Sequence, residues 1–92
     1  MAVYVDNAFI PYGRMVMSHM MADELSELHE MADSIGLQRR WFQGKGHSIP
    51  HYDVSKAYRD KAIENGAIAV DCDDQTHRAF KQEWRRKWRN NR

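Results

Sequence analysis

Residues 23–43 read DELSELHEMADSIGLQRRWFQ, and this stretch decides the fold. Leu25, Leu28, Ala32 and Ile35 recur at helical spacing with Met31 beside them, the stripe of a helix that faces a core. Asp23 reads as its N-cap, Glu24 and Glu27 suit the positive end of its dipole, and Gly36 supplies a left-handed stop. The spacing predicts a helix over about 23–35. Arg39-Arg40-Trp41-Phe42-Gln43 then reads as a short aromatic strand.

The same alternation continues on both sides. Val3-Tyr4-Val5 is a β-branched and aromatic strand running into Asp6-Asn7, and Pro11 and Gly13 mark a loop. Met15 to Met21 reads either as an edge strand or as a buried loop. After residues 44–50, where Pro50 keeps Ile49 out of the helical region, Asp53 or Ser55 can cap a second helix over about 54–65, ended by Gly66. Ala67 to Val70 reads as a further strand, and Asp73 or Asp74 can cap a last helix over about 75–89. Strands alternating with helices predict a small single α/β domain around a mainly parallel sheet of three or four strands.

At 92 residues the chain suits one compact domain, which buries only roughly 60–65% of its unfolded surface. A single Cys excludes an internal disulfide and a cysteine-rich zinc knuckle. No apolar run approaches a membrane span and the start lacks the basic region of a signal peptide, so a cytoplasmic protein is expected. The net charge of +1 conceals a division. Residues 76–92 hold Arg78, Lys81, Arg85, Arg86, Lys87, Arg89 and Arg92 against one acid, Glu83, while the body over residues 1–75 is slightly acidic.

In a parallel sheet, ligands sit beyond the carboxyl ends of the strands. On that reading Asp6, His51-Tyr52-Asp53 and Asp71 all lie on loops near one edge, an oxygen-and-imidazole cluster suited to acid/base work or to a divalent metal. The plainer account is favoured for Asp53 and Asp71: a helix cap and a solvated carboxylate. His51 and Asp53, two apart, share one side of an extended segment. A carboxylate there raises imidazole basicity and fixes its tautomer. His47 is separated from His51 by Pro50, so their spacing says little. His19, flanked by methionines, and His29, on the shoulder of the first helix, read first as core-edge histidines bonded to carbonyls. Arg14, Arg39 and Arg40 are candidates for anion contacts, with ordinary surface charge as the alternative. No phosphate-binding loop, dinucleotide fingerprint or nucleophile elbow is present, and the carboxylates around Cys72 oppose a thiolate.

In the tail, Phe80, Trp84 and Trp88 fall at four-residue steps among bases. Arg85, Arg86, Trp88 and Arg89 could meet nucleic acid or an acidic partner. A helix packed on the body or on a second copy, as in a homodimer, explains the stripe slightly better.

The order Val3-Tyr4-Val5-Asp6, Gly13-Arg14, Ser18-His19, Glu27-Leu28-His29, Arg39-Arg40-Trp41-Phe42, His51-Tyr52-Asp53 and Gly66-Ala67 resembles a small family of phage and bacterial proteins with a domain of unknown function. The resemblance covers roughly residues 2–71 and leaves the tail after Asp74 outside. It implies a phage or bacterial intracellular protein, and it singles out Asp6, Arg14, His19, His29, Arg40, His51 and Asp53. It names no reaction, but it moves His19 and His29 toward function. The leading expectation is a His/Asp/Arg pocket for a phosphate-containing ligand, with phosphoester hydrolysis as the reaction class. His51 would be base or metal ligand, Asp53 its orienting partner, Asp6 and His19 further catalytic or metal ligands, Arg14 and Arg40 charge stabilisers, and His29 a ligand contact. The alternative is a non-catalytic module that grips nucleic acid, a nucleotide signal or a host defence protein through the basic tail.

Overall fold

The computed structural model describes residues 2–44, 49–71, 82, 83 and 86. Its strands are β1 (Val3–Val5), β2 (Ile10–Tyr12), β3 (Met15–Ala22), β4 (Phe42–Gln43), β5 (His51–Ser55) and β6 (Ile68–Ala69). Two helices, α1 (Leu25–Ile35) and α2 (Lys56–Glu64), lie between them. The strands form one sheet in the order β4-β5-β3-β1-β6, with β2 also paired to β3.

The domain is α/β, as its sequence implies, but the sheet is not mainly parallel. Among the described pairings only β1 with β6 is parallel, and the other four are antiparallel. The cause is the link between β2 and β3. Tyr12 pairs with Met15, so Gly13-Arg14 is a two-residue connection, and only antiparallel neighbours can be joined that tightly. Gly13 sits at φ 61, the sense a hairpin turn asks of its first central residue. Residues 15–22 are therefore neither an edge strand nor a loop. They form the central strand, which pairs with β2 at its start, β1 at its end and β5 along its other side.

The first helix keeps its predicted stripe: Leu28, Ala32 and Ile35 are buried, with Leu25 and Met31 packed against them. Asp23 is not its cap. Its carboxylate accepts from the Ala2 N–H at 2.9 Å and from the Tyr4 hydroxyl, tying the chain start to the helix entry instead. Gly36, at φ 87, ends the helix as expected. The expected strand over 39–43 shortens to Phe42–Gln43, because Arg39–Trp41 wind into a 3₁₀ turn closed by the Trp41 N–H on the Gln38 carbonyl. Ser55, rather than Asp53, caps α2 by accepting from the Tyr58 N–H. His51-Tyr52-Asp53 is strand, not loop. Of the expected helix over 75–89, residues 82, 83 and 86 are helical and exposed, and the rest lies outside the described residues.

Strand alternation now sorts the side chains. Val3, Val5, Met20, Tyr52 and Val54 point toward α1 and α2 and join Leu28, Ala32, Ile35 and Ala62 in the core. The intervening residues of β3 and β5, among them Met17, His19, His51, Asp53 and Ser55, fall on the other face.

Candidate functional site

The chain leaves β1 at Asp6 and rejoins β3 only at Ile10, and this break in the ladder makes the site. The backbone N–H of Asp6 still bonds the His19 carbonyl at 3.0 Å, but the reciprocal bond is made by a side chain. Asp6 Oδ1 accepts the His19 backbone N–H at 2.9 Å and the Ala8 N–H at 3.2 Å. Asp6 Oδ2 accepts from Nδ1 of the His19 imidazole at 2.8 Å. A carboxylate can only accept, so Nδ1 carries the hydrogen and a neutral His19 has its lone pair on Nε2.

Asp6 is fully buried. Burial alone would raise its carboxyl pKa. The hydrogen bond from the His19 ring, those from the His19 and Ala8 backbone and the charge of a protonated His19 outweigh it, bringing the value down from 3.8 to about 2. A carboxyl depressed on folding stabilises the fold above its unfolded value and loses that contribution as pH falls through the folded one. Stability is therefore expected to drop by about 2 kcal/mol between roughly pH 4 and pH 2 on account of this group. Urea titrations across that range should show the drop, and Asp6→Asn should flatten it.

His19 pairs across the sheet with Asp53, and its Nε2 lies 3.9 Å from Asp53 Oδ1. The same oxygen is 3.4 Å from Nε2 of His51. The two imidazoles meet edge to face at 5.5 Å between centroids. His51 is oriented by the backbone: its Nδ1 donates to the Ile49 carbonyl at 2.7 Å. Asp53 is oriented by Gln43, whose Nε2 donates to Oδ2 at 2.7 Å. The side chains of His19, His51 and Asp53 keep 31%, 17% and 38% exposure, so the cluster is reachable from solvent.

Four predicted residues thus converge, with two roles exchanged: Asp6 orients His19, and Asp53 stands between two histidines instead of holding one. Both Asp6 oxygens are occupied by hydrogen bonds, and among the described residues no three His, Cys, Asp or Glu side chains are arranged to hold a metal ion. Arg40 lines a groove of about 590 Å³ that also reaches Asp53 and Gln43. Arg14 sits on the exposed β2–β3 turn, outside both groove and cluster. Arg39 pairs with Asp33 at 3.5 Å on the surface.

His29 is on the opposite face, its Nδ1 sharing a 2.8 Å hydrogen bond with the Tyr52 hydroxyl and its ring packed edge-on against Phe42. Burial and the Arg39 charge push its imidazole below the ordinary value, with Asp33 opposing. Arg85, Trp88 and Arg89 lie outside the described residues, as do His47 and Cys72; Arg86 is exposed. Two contributors were not anticipated. Gln43 carries a signal only once β4 is paired to β5, and Arg59, whose Nε donates to the Asp6 carbonyl at 2.7 Å, stands too far along the chain to be associated with it.

A family model described as protein of unknown function (DUF4031) matches residues 3–82. The chain belongs to this family. The DUF4031 match extends past Asp74 and Phe80, so the first part of the basic segment lies within the shared domain, contrary to the boundary drawn from the motifs. No curated protein and no solved structure matches the chain. No helix among the described residues is long and apolar enough to cross a membrane.

Proposed function

We propose that this domain hydrolyses a phosphoester, with His19 as general base. The observation that supports it is the buried Asp6 carboxylate bonded at 2.8 Å to His19 Nδ1, with a second imidazole beside it on the neighbouring strand. Nδ1–H fixed on a carboxylate leaves Nε2 to take a proton from water as that oxygen attacks phosphorus. The phosphorus–oxygen bond to the leaving group breaks, and that oxygen collects a proton from Nε2 of His51, whose ring the Ile49 carbonyl holds in place. Arg40 offers fixed positive charge to the phosphoryl oxygens. The motif resemblance supports a phage or bacterial accessory role in the host cytoplasm.

The test is hydrolysis of p-nitrophenyl phosphate and its diester across a pH series. Turnover with a bell-shaped profile is expected, since His19 must be neutral and His51 protonated. Arg40→Ala is expected to raise KM about tenfold through loss of a charge-assisted contact. Absence of turnover on every ester at every pH would remove the proposal.

A further inference from the structure

We infer that the groove beside the histidine pair recognises a nucleobase, so that the ligand is a nucleoside monophosphate; this rests on the phosphoester reading above. The groove's volume of about 590 Å³ falls within the roughly 300–1,000 Å³ of small-molecule sites. Its lining has two parts. Tyr12 and Trp41 come from the β2–β3 hairpin and the 3₁₀ turn, with Met15 and Met17 alongside, and supply an aromatic, polarizable surface. Arg40, Gln43, Asp53 and Ser55 supply the polar part.

Tyr12 is 70% exposed and Trp41 39%, so neither ring is held there to fill the core. Their backbones are nevertheless fixed, Tyr12 by its register with Met15 and Trp41 by its N–H on the Gln38 carbonyl at 2.9 Å. Exposed aromatic faces carried on a fixed backbone suit a flat ring that stacks on them. Arg40 neighbours Trp41 in the chain, which puts a guanidinium beside the stacking surface. Neither histidine lines the groove, but Asp53 does, and its Oδ1 lies 3.9 Å from His19 Nε2 and 3.4 Å from His51 Nε2, so the groove borders the histidine pair through this carboxylate.

Calorimetric titration of the full chain with adenosine monophosphate, ribose phosphate and inorganic phosphate tests this. Adenosine monophosphate is expected to bind at least about tenfold more tightly than ribose phosphate, the scale of one base-on-aromatic stack. Trp41→Ala should narrow that gap to within about twofold. Tyr12→Ser, on the outermost ring, should narrow it in part without involving the core. Equal binding of the two organic phosphates overturns base recognition while leaving the phosphoester reading in place. Failure of all three phosphates to bind overturns both. A preference that survives Trp41→Ala and Tyr12→Ser also contradicts the inference.

Discussion

Asp6→Asn is expected to leave a folded protein whose phosphoester turnover is down by about 10² to 10⁴, the usual worth of a positioned base. The amide keeps one acceptor oxygen for the backbone N–H groups of His19 and Ala8, so the break between β1 and β2 stays closed. Its NH₂ cannot accept from His19 Nδ1. The ring then turns over to the other tautomer, and the lone pair leaves Nε2, where it is needed. Asp6→Ala removes both functions. Two partly buried backbone donors and one imidazole lose their acceptor, a cost on the order of 3 kcal/mol. For a domain of this size that lowers Tm by about 15 °C. The two variants therefore separate the structural duty of this carboxylate from its chemical one. Thermal melts and initial rates on the same preparations make the comparison. Equal activity in wild type and Asp6→Asn would mean that His19 needs no fixed tautomer.

Tyr52→Ala is expected to cost about 3–5 kcal/mol, the largest stability effect of any single change considered. Tyr52 is fully buried at the centre of the face that meets α1 and α2, and it touches Phe42 and His29. Truncation leaves a ring-sized void between β5 and α1 and strips His29 of its hydroxyl partner. Because Tyr52 lies between His51 and Asp53 in the chain, collapse of this void also shifts the strand that carries both site residues. Tyr52→Phe is the control: it keeps the volume, loses one hydrogen bond and should cost about 1 kcal/mol. Urea denaturation reads both values. Near-equal losses in the two variants would show that the hydroxyl, not the ring, anchors this strand.

The helices α1 and α2 are legible because their signals are local. The stripe from Leu25 to Ile35, the Gly36 stop and the Ser55 cap are each contained within a few residues. Strand direction was not, since it depends on which segments pair. The Pro-Tyr-Gly-Arg run that reads as a loop is a hairpin tip, and recognising Met15–Ala22 as the central strand requires knowing that β1, β2 and β5 all pair with it. The candidate site divides in the same way. His51 and Asp53 share a face by simple alternation, whereas His19 joins them only through the β3–β5 register. The chain could suggest Asp6 as chemically interesting, but its buried role in bridging a broken ladder comes from pairing 13 residues away. His29, equally suggestive in the sequence, is turned to the core because α1 packs on the opposite face of the sheet.

The most direct measurement is a long-range proton–nitrogen NMR spectrum of the histidine rings, recorded before and after addition of inorganic phosphate. Neutral His19 is expected to carry its hydrogen on Nδ1, and phosphate is expected to move the His19 and His51 signals while leaving His29 in place. A His19 protonated on Nε2 alone, or phosphate shifts absent from both His19 and His51, would contradict it.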